Sequence, residues 1–183
     1  MKLIFLLEEP SMKHLLDILL PRILPSNVDF LTIQHSGKRA LERSIPIKLR
    51  AWNEPGEIKF VIVHDQDNKD CILLKKQLLQ LCSDTNRQVL VRIACQEMEA
   101  WYLGDFNALS KAYNKPKLLN FAKKSKYRYP DDIPTPKEEL RKIVPEYQQI
   151  LGAKTVGPFM DIENNTSVSF QQFVTGVRRI VNE

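Results

Sequence analysis

Four short apolar runs, rich in β-branched and aromatic residues, recur along the first half of the chain, and each is followed by a stretch with helical spacing. Lys2–Leu7 (KLIFLL), Val28–Gln34 (VDFLTIQ), Lys59–His64 (KFVIVH) and Gln88–Ala94 (QVLVRIA) have the length and composition of buried strands. Helical patterns fill Ser11–Leu20, Gly37–Trp52 and Cys71–Cys82, and a shorter one runs over Glu97–Leu103 and ends at Gly104. Strands separated by helices are joined by right-handed crossovers, which pair the strands in parallel. The pattern predicts an α/β fold: a mostly parallel four-stranded sheet with flanking helices. Proline marks two expected interruptions, with Pro21 closing the first helix and Pro46 breaking the second.

Beyond residue 110 the character changes. From Lys111 to Pro130 there are seven basic residues and no acidic one: Lys111, Lys115, Lys117, Lys123, Lys124, Lys126 and Arg128. Tyr113, Phe121, Tyr127 and Tyr129 are interleaved with them. The proline-rich connector Asp131–Pro136 follows, then helical pieces around Lys137–Val144, Thr155–Asp161 and Ser169–Val181. Short helices totalling ~50 residues do not fold alone. Residues 111–183 are therefore expected to pack, as a basic loop and helical cap, on the α/β unit of residues 1–110 within one domain.

Composition closes off several classes. Of 183 residues, 43% are hydrophobic and 27% charged, which is globular and neither disordered nor fibrous. Three cysteines (Cys71, Cys82, Cys95), an odd number with no CxxC pair, exclude a disulfide framework and a zinc ribbon. The histidines His14, His35 and His64 lack the HExxH spacing of a zincin. Five apolar residues precede Glu8 and Glu9, too few for a signal peptide, and no run approaches the ~18 residues of a membrane span. A cytoplasmic protein without a membrane partner is expected. The net charge of +5 permits an acidic partner such as nucleic acid without requiring one.

Acidic residues gather where the strands end. Glu8 and Glu9 follow the first strand, Asp65 and Asp67 the third, and Glu97 and Glu99 the fourth. In a parallel sheet the C-terminal strand ends share one rim, and neighbouring strands lie ~4.8 Å apart, so these carboxylates can reach one ion. In extended chain, Asp65 and Asp67 point to the same side. Convergent carboxylates without a cation repel, and one must take up a proton, whereas Mg²⁺ (or Mn²⁺) satisfies oxygens of this kind. The alternative is structural, since acids after strands also serve as helix caps and partners of the helix dipole; Asp70 before Cys71 reads as such a cap. On a helix Glu97 and Glu99 point to opposite sides, and Glu97, nearer the strand end, is the one expected at the rim. His64, next to Asp65, alternates to the opposite side and reads as buried. Trp52 and Trp101 read as core residues.

These motifs resemble TOPRIM domains, which carry a glutamate after the first strand, often within a VEGxxE-like stretch, and a DxD after the third. LLEEPSMK puts Glu8 on the catalytic glutamate, with Glu9 in place of the usual glycine and Met12 in place of the second glutamate. VHDQDNKDC supplies Asp65 and Asp67. Across more of the chain, CQEMEAWYLGD (95–105), GAKTVGPFMD and NTSVSFQQFVTGVRRI are similar to a small bacterial TOPRIM-like family. That family resembles the RloB/AbiL second components found beside ATPase genes in phage-defence loci. The resemblance implies a Mg²⁺-dependent phosphodiesterase acting on DNA or RNA. Glu8, Asp65 and Asp67 would hold metal, Glu97 would hold a second ion or orient water, and an ATPase would be the partner protein. The losses in the first motif leave a second implication, a non-catalytic docking or regulatory subunit of such an ATPase.

The basic, aromatic stretch suits a nucleic-acid backbone, with Lys115, Lys117, Lys123, Lys124, Lys126 and Arg128 on phosphates and the rings on bases. Its alternative is a solvated loop over ordinary core aromatics. The earlier basic residues Lys38, Arg39, Arg43, Lys48 and Arg50 read as a helix face. Other DxD classes fit less well. A haloacid-dehalogenase phosphatase places its DxD after the first strand. A receiver domain needs a hydroxyl after the fourth strand, where Ala94-Cys95 stands, and a lysine after a fifth. Glycosyltransferases with a DxD are usually longer.

Overall fold

The computed structural model describes residues 1–183. Strands β1 (Lys2–Leu7), β2 (Asp29–Gln34), β3 (Ile58–Asp65) and β4 (Val89–Ala94) form one sheet in the order β2-β1-β3-β4, and every pairing is parallel. Helices α1 (Pro10–Ile23), α2 (Lys38–Ala51) and α3 (Cys71–Gln80) make the crossovers. After β4 come α4 (Glu99–Leu103), α5 (Phe106–Ala112), three 3-10 turns between Pro116 and Asp132, α6 (Pro136–Ile143), α7 (Gln149–Val156) and α8 (Val168–Asn182).

The central strands β1 and β3 are buried on both faces, unlike the largely exposed edge strand β2, and send alternate residues into two separate cores. Leu3, Phe5 and Leu7 of β1 and Val61 and Val63 of β3 face a large core shared with α1, α4, α7 and α8. Ile4, Leu6, Phe60 and Ile62 face a smaller core under α2 and α3, closed by Leu41, Ile45, Leu49, Leu74 and Leu78. The large core also takes Leu118, Leu140, Val156 and Phe173 from the C-terminal part, whose helices are thus packed on the sheet rather than beside it. The fully buried Trp101 donates its indole N–H to Ser169 Oγ at 2.9 Å, joining α4 to α8. A Cβ at Gly104 would run into the Asn165 side chain and the Ser167 backbone nitrogen; the missing side chain lets the 165–167 segment close over the end of α4.

Both prolines expected to interrupt helices lie inside them. Pro21 removes one bond near the end of α1, and Arg22 ties that last turn to the carbonyls of Gly157 (3.2 Å) and Met160 (2.6 Å). In α2, Leu41, Ile45 and Leu49 form a buried stripe on both sides of Pro46. Burying three such side chains, at about 1.5–3 kcal/mol each, outweighs the ~3 kcal/mol cost of an internal proline. The helix expected at Thr155–Asp161 falls earlier, at Gln149–Val156, and gives way to a 3-10 turn at Gly157–Phe159, where Pro158 lacks the donor a helix would use.

Candidate functional site

The register of β1 against β3 pairs Leu7 with Val63, which sets Glu8 and Glu9 beside His64 and Asp65 at the rim. The Asp65 backbone N–H donates to Glu8 Oε2 at 3.1 Å. His64 is fully buried, with Nδ1 3.1 Å from the same carboxylate oxygen and 2.5 Å from the Asp65 carbonyl. Its Nε2 stands 3.4 Å from Glu42 Oε1 without hydrogen-bond geometry and has no other partner. Alternation along β3 turns the Asp65 side chain to the opposite face, toward α4 and α6.

There Asp65 meets Glu99, the first residue of α4. Glu99 is fully buried and accepts from Tyr147 Oη at 2.8 Å through Oε1. Its Oε2 and the Oδ1 of Asp65 are buried without any hydrogen-bond partner. Burial pushes the Glu99 carboxyl up to about 7, with the ammonium of Lys137 and the Tyr147 hydroxyl pulling the other way and Glu9 and Glu97 adding to it. Burial also raises Asp65 well above the ordinary carboxylate range, reinforced by Glu8, Glu99 and Glu9. Glu8 is raised as well, chiefly by burial; the nearby His64 ring and the Asp65 N–H offset part of this. Tyr102 joins the same neighbourhood, its hydroxyl buried without a partner and held up by burial and by Glu99.

The other two predicted site residues stand at the margins. Asp67 does not continue β3 in extended form: it sits in the left-handed region at φ 51°, and Gln96 does so at φ 58°. These two turns lock the loops after β3 and β4 together, through Asp67 N–H to the Gln96 carbonyl (2.7 Å) and Gln96 N–H to Gln66 Oε1 (3.0 Å). Asp67 is thereby aimed at Lys38 at the start of α2, 2.8 Å away. Non-glycine residues at positive φ cost energy and cluster at functional sites. Glu97 precedes α4 and caps α6 from outside. It accepts the Lys137 backbone N–H at 2.9 Å and lies 3.3 Å from Lys137 Nζ. Burial draws the Lys137 ammonium down, but Glu99, Glu97 and Glu9 outweigh it and leave it raised.

The rim therefore gathers Glu8, Asp65 and Glu99 on its inner side, with Glu9 close by and Asp67 and Glu97 each held by a lysine. The donor set is oxygen only and includes two orphaned buried oxygens, which fits a hard divalent cation. As the side chains stand, however, no three acidic, histidine or cysteine groups come close enough together to share one ion. Glu97 was the residue expected at the rim; Glu99 is the more enclosed of the two, because the helix begins only at Glu99 and leaves Glu97 free to reach α6. Tyr147 and Lys137 were not foreseen, since only tertiary packing brings them to β3 from 72 or more residues away.

Of the basic residues expected to meet nucleic acid, Lys115 pairs with Glu146, and Lys126 pairs with Glu139 at 2.7 Å. Lys117, Lys123, Lys124 and Arg128 are exposed and make no ion pair. The interleaved rings divide: Tyr127 is buried and packs with Phe106 and Phe121, whereas Tyr129 is exposed.

This architecture is shared with a solved structure. Over 98% of both chains it is similar to the "C-terminal region of the Burkholderia pseudomallei OLD protein", with a TM-score of 0.51 and 17% sequence identity. The α/β architecture expected from the sequence, a parallel four-stranded sheet with flanking helices, is the one the chain adopts. The family model described as "Domain of unknown function (DUF4276)" matches residues 7–178, so the chain belongs to the DUF4276 family. A search of curated proteins finds no match. No helix is long and apolar enough to cross a membrane.

Proposed function

We propose that the protein is a metal-dependent phosphodiesterase, a cytoplasmic nuclease acting on DNA or RNA at the acidic rim. The observation that carries this reading is the buried pair Asp65 and Glu99, each with an oxygen that no donor reaches. Buried carboxylates left unpaired are costly and are kept where they serve chemistry. Glu8, Asp65 and Glu99 would hold Mg²⁺ (or Mn²⁺), with Asp67 and Glu97 at its edges, and the ion would supply Lewis acidity toward a phosphodiester and a bound water of lowered pKa. Lys38 and Lys137 position Asp67 and Glu97, and Lys137 offsets the charge of Glu99. The likeness of the acidic motifs to TOPRIM domains and the fold shared with the OLD region support the reading. The resemblance to second components of ATPase-linked loci supports an ATPase as partner, with the nuclease as effector of a phage-defence system.

A second reading, a non-catalytic docking subunit, is favoured by one observation. No three ligands converge as placed, and Lys137 already supplies positive charge between Glu97 and Glu99. Cleavage of single- and double-stranded DNA and RNA with Mg²⁺, Mn²⁺ or EDTA separates the two, with an Asp65→Ala/Asp67→Ala double variant beside the wild type. The nuclease reading expects metal-dependent cutting that the double variant lacks. Cutting that persists in the double variant refutes the acidic site.

A further inference from the structure

A cleft of about 990 Å³ opens between α5, the 3-10 turns after it and the 159–166 segment, away from the acidic rim. Five cations line it: Arg22, Lys111, Lys123, Lys124 and Arg128. Its two carboxylates are already committed. Asp105 accepts the backbone N–H groups of Ala108 (2.9 Å) and Asp161 (2.7 Å), and Asp161 accepts those of Glu163 (2.8 Å) and Asn164 (3.0 Å). Arg22 is spent on two carbonyls, but Lys111, Lys123, Lys124 and Arg128 have no ion-pair partner, although Lys124 Nζ lies 4.2 Å over the Phe121 ring. The cleft therefore carries uncompensated positive charge in a concave wall, where charge of one sign focuses the field on an anion.

The same wall presents apolar surface. Phe159 is 47% exposed and Leu119 40% exposed, and both line the cleft. Floor and framework are rigid, since Tyr127 is buried against Phe106 and Phe121 and donates to Glu139 of α6 at 2.6 Å. Cations beside an exposed aromatic face match a ligand with phosphates and unpaired bases, whereas a duplex keeps its base faces stacked inside.

We propose that this cleft binds a single-stranded polynucleotide, with Lys123, Lys124 and Arg128 on its phosphates and Phe159 under a base. The inference rests on the nuclease reading only for the choice of a polynucleotide; the binding itself needs no metal. It is tested in EDTA, where metal-dependent cleavage cannot occur, by fluorescence anisotropy with end-labelled oligothymidylate and a duplex of equal length. The wild type is expected to bind the single strand more tightly than the duplex. Lys123→Ala/Lys124→Ala should lower the log–log salt slope by about 1.4, at about 0.7 per phosphate contact. Phe159→Ala should weaken single-strand binding roughly 5- to 100-fold with little change in slope. Lys75→Ala/Lys76→Ala, on α3 across the sheet, is the control for charge alone and should change little. Any of four results overturns the proposal: no binding by the wild type, equal or tighter duplex binding, unchanged affinity in Phe159→Ala, or an equal loss in the control. Because cleavage is not read, failure of the nuclease reading alone leaves these measurements intact.

Discussion

Glu99→Gln should make the protein more stable at pH 8 and leave it nearly unchanged below pH 5. Burial raises the Glu99 carboxyl from its ordinary 4.5 to about 7, so the folded state binds that proton more tightly than the unfolded chain. Stability conferred by the protonated form is present below about 4.5 and falls as pH rises toward 7, because the folded state binds more protons than the unfolded one. At 1.36 kcal/mol per tenfold difference, the loss is about 3 kcal/mol above pH 7. A glutamine does not titrate and keeps the oxygen that accepts from Tyr147, while Lys137 keeps Glu97. The rise to about 7 already includes the attraction of Lys137, so the variant should gain about 3 kcal/mol at pH 8, or roughly 6–12 °C in Tm for a domain of this size. Thermal and urea unfolding of both proteins in EDTA, stepped from pH 4.5 to 8, reads this directly. If the two stability curves run parallel across that range, the buried-carboxyl argument is wrong.

Three other perturbations probe the same frame. Lys137→Met removes the cation between Glu97 and Glu99 and should cost about 2 kcal/mol at pH 8 but far less at pH 5, by chemical denaturation; an equal cost at both would mean that Lys137 acts only through packing. Tyr147→Phe deletes the donor to Glu99 and should cost about 1.5–3 kcal/mol where Glu99 is ionised, with urea midpoints at pH 6 and pH 8 as the readout and a pH-independent loss as the contrary result. Gly104→Ala forces a methyl group against Asn165 and Ser167 and should lower stability by about 1–3 kcal/mol, whereas a neutral change would mean that the 165–167 segment is free to move.

The sheet was legible because its signal is local. Runs such as KFVIVH carry their own burial pattern, and the helices between them dictate parallel pairing. Pro21 and Pro46 misled because the cost of a proline is local, while the burial of Leu41, Ile45 and Leu49 that outweighs it is tertiary. At the rim, the acids after the strands were visible in sequence, but their division of labour was not. Whether Glu97 or Glu99 turns inward depends on where α4 begins and on α6 arriving with its Lys137 N–H to be capped. Asp67 turns on a backbone conformation fixed by the neighbouring loop through Gln96, which periodicity cannot reveal. The basic stretch was readable as charge, yet only the fold separates Lys115 and Lys126, which are paired, from Lys123, Lys124 and Arg128, which share a cleft.

Calorimetric titration of Mn²⁺ into the wild type and into an Asp65→Asn/Glu99→Gln variant shows whether the acidic rim holds a divalent cation. Saturable binding by the wild type is expected, with an accompanying proton release near pH 6.5 as the raised carboxyls ionise, and loss of both in the variant. Absence of binding in the wild type, or identical binding in the variant, would contradict that expectation and leave the acidic rim as a structural feature of a docking subunit.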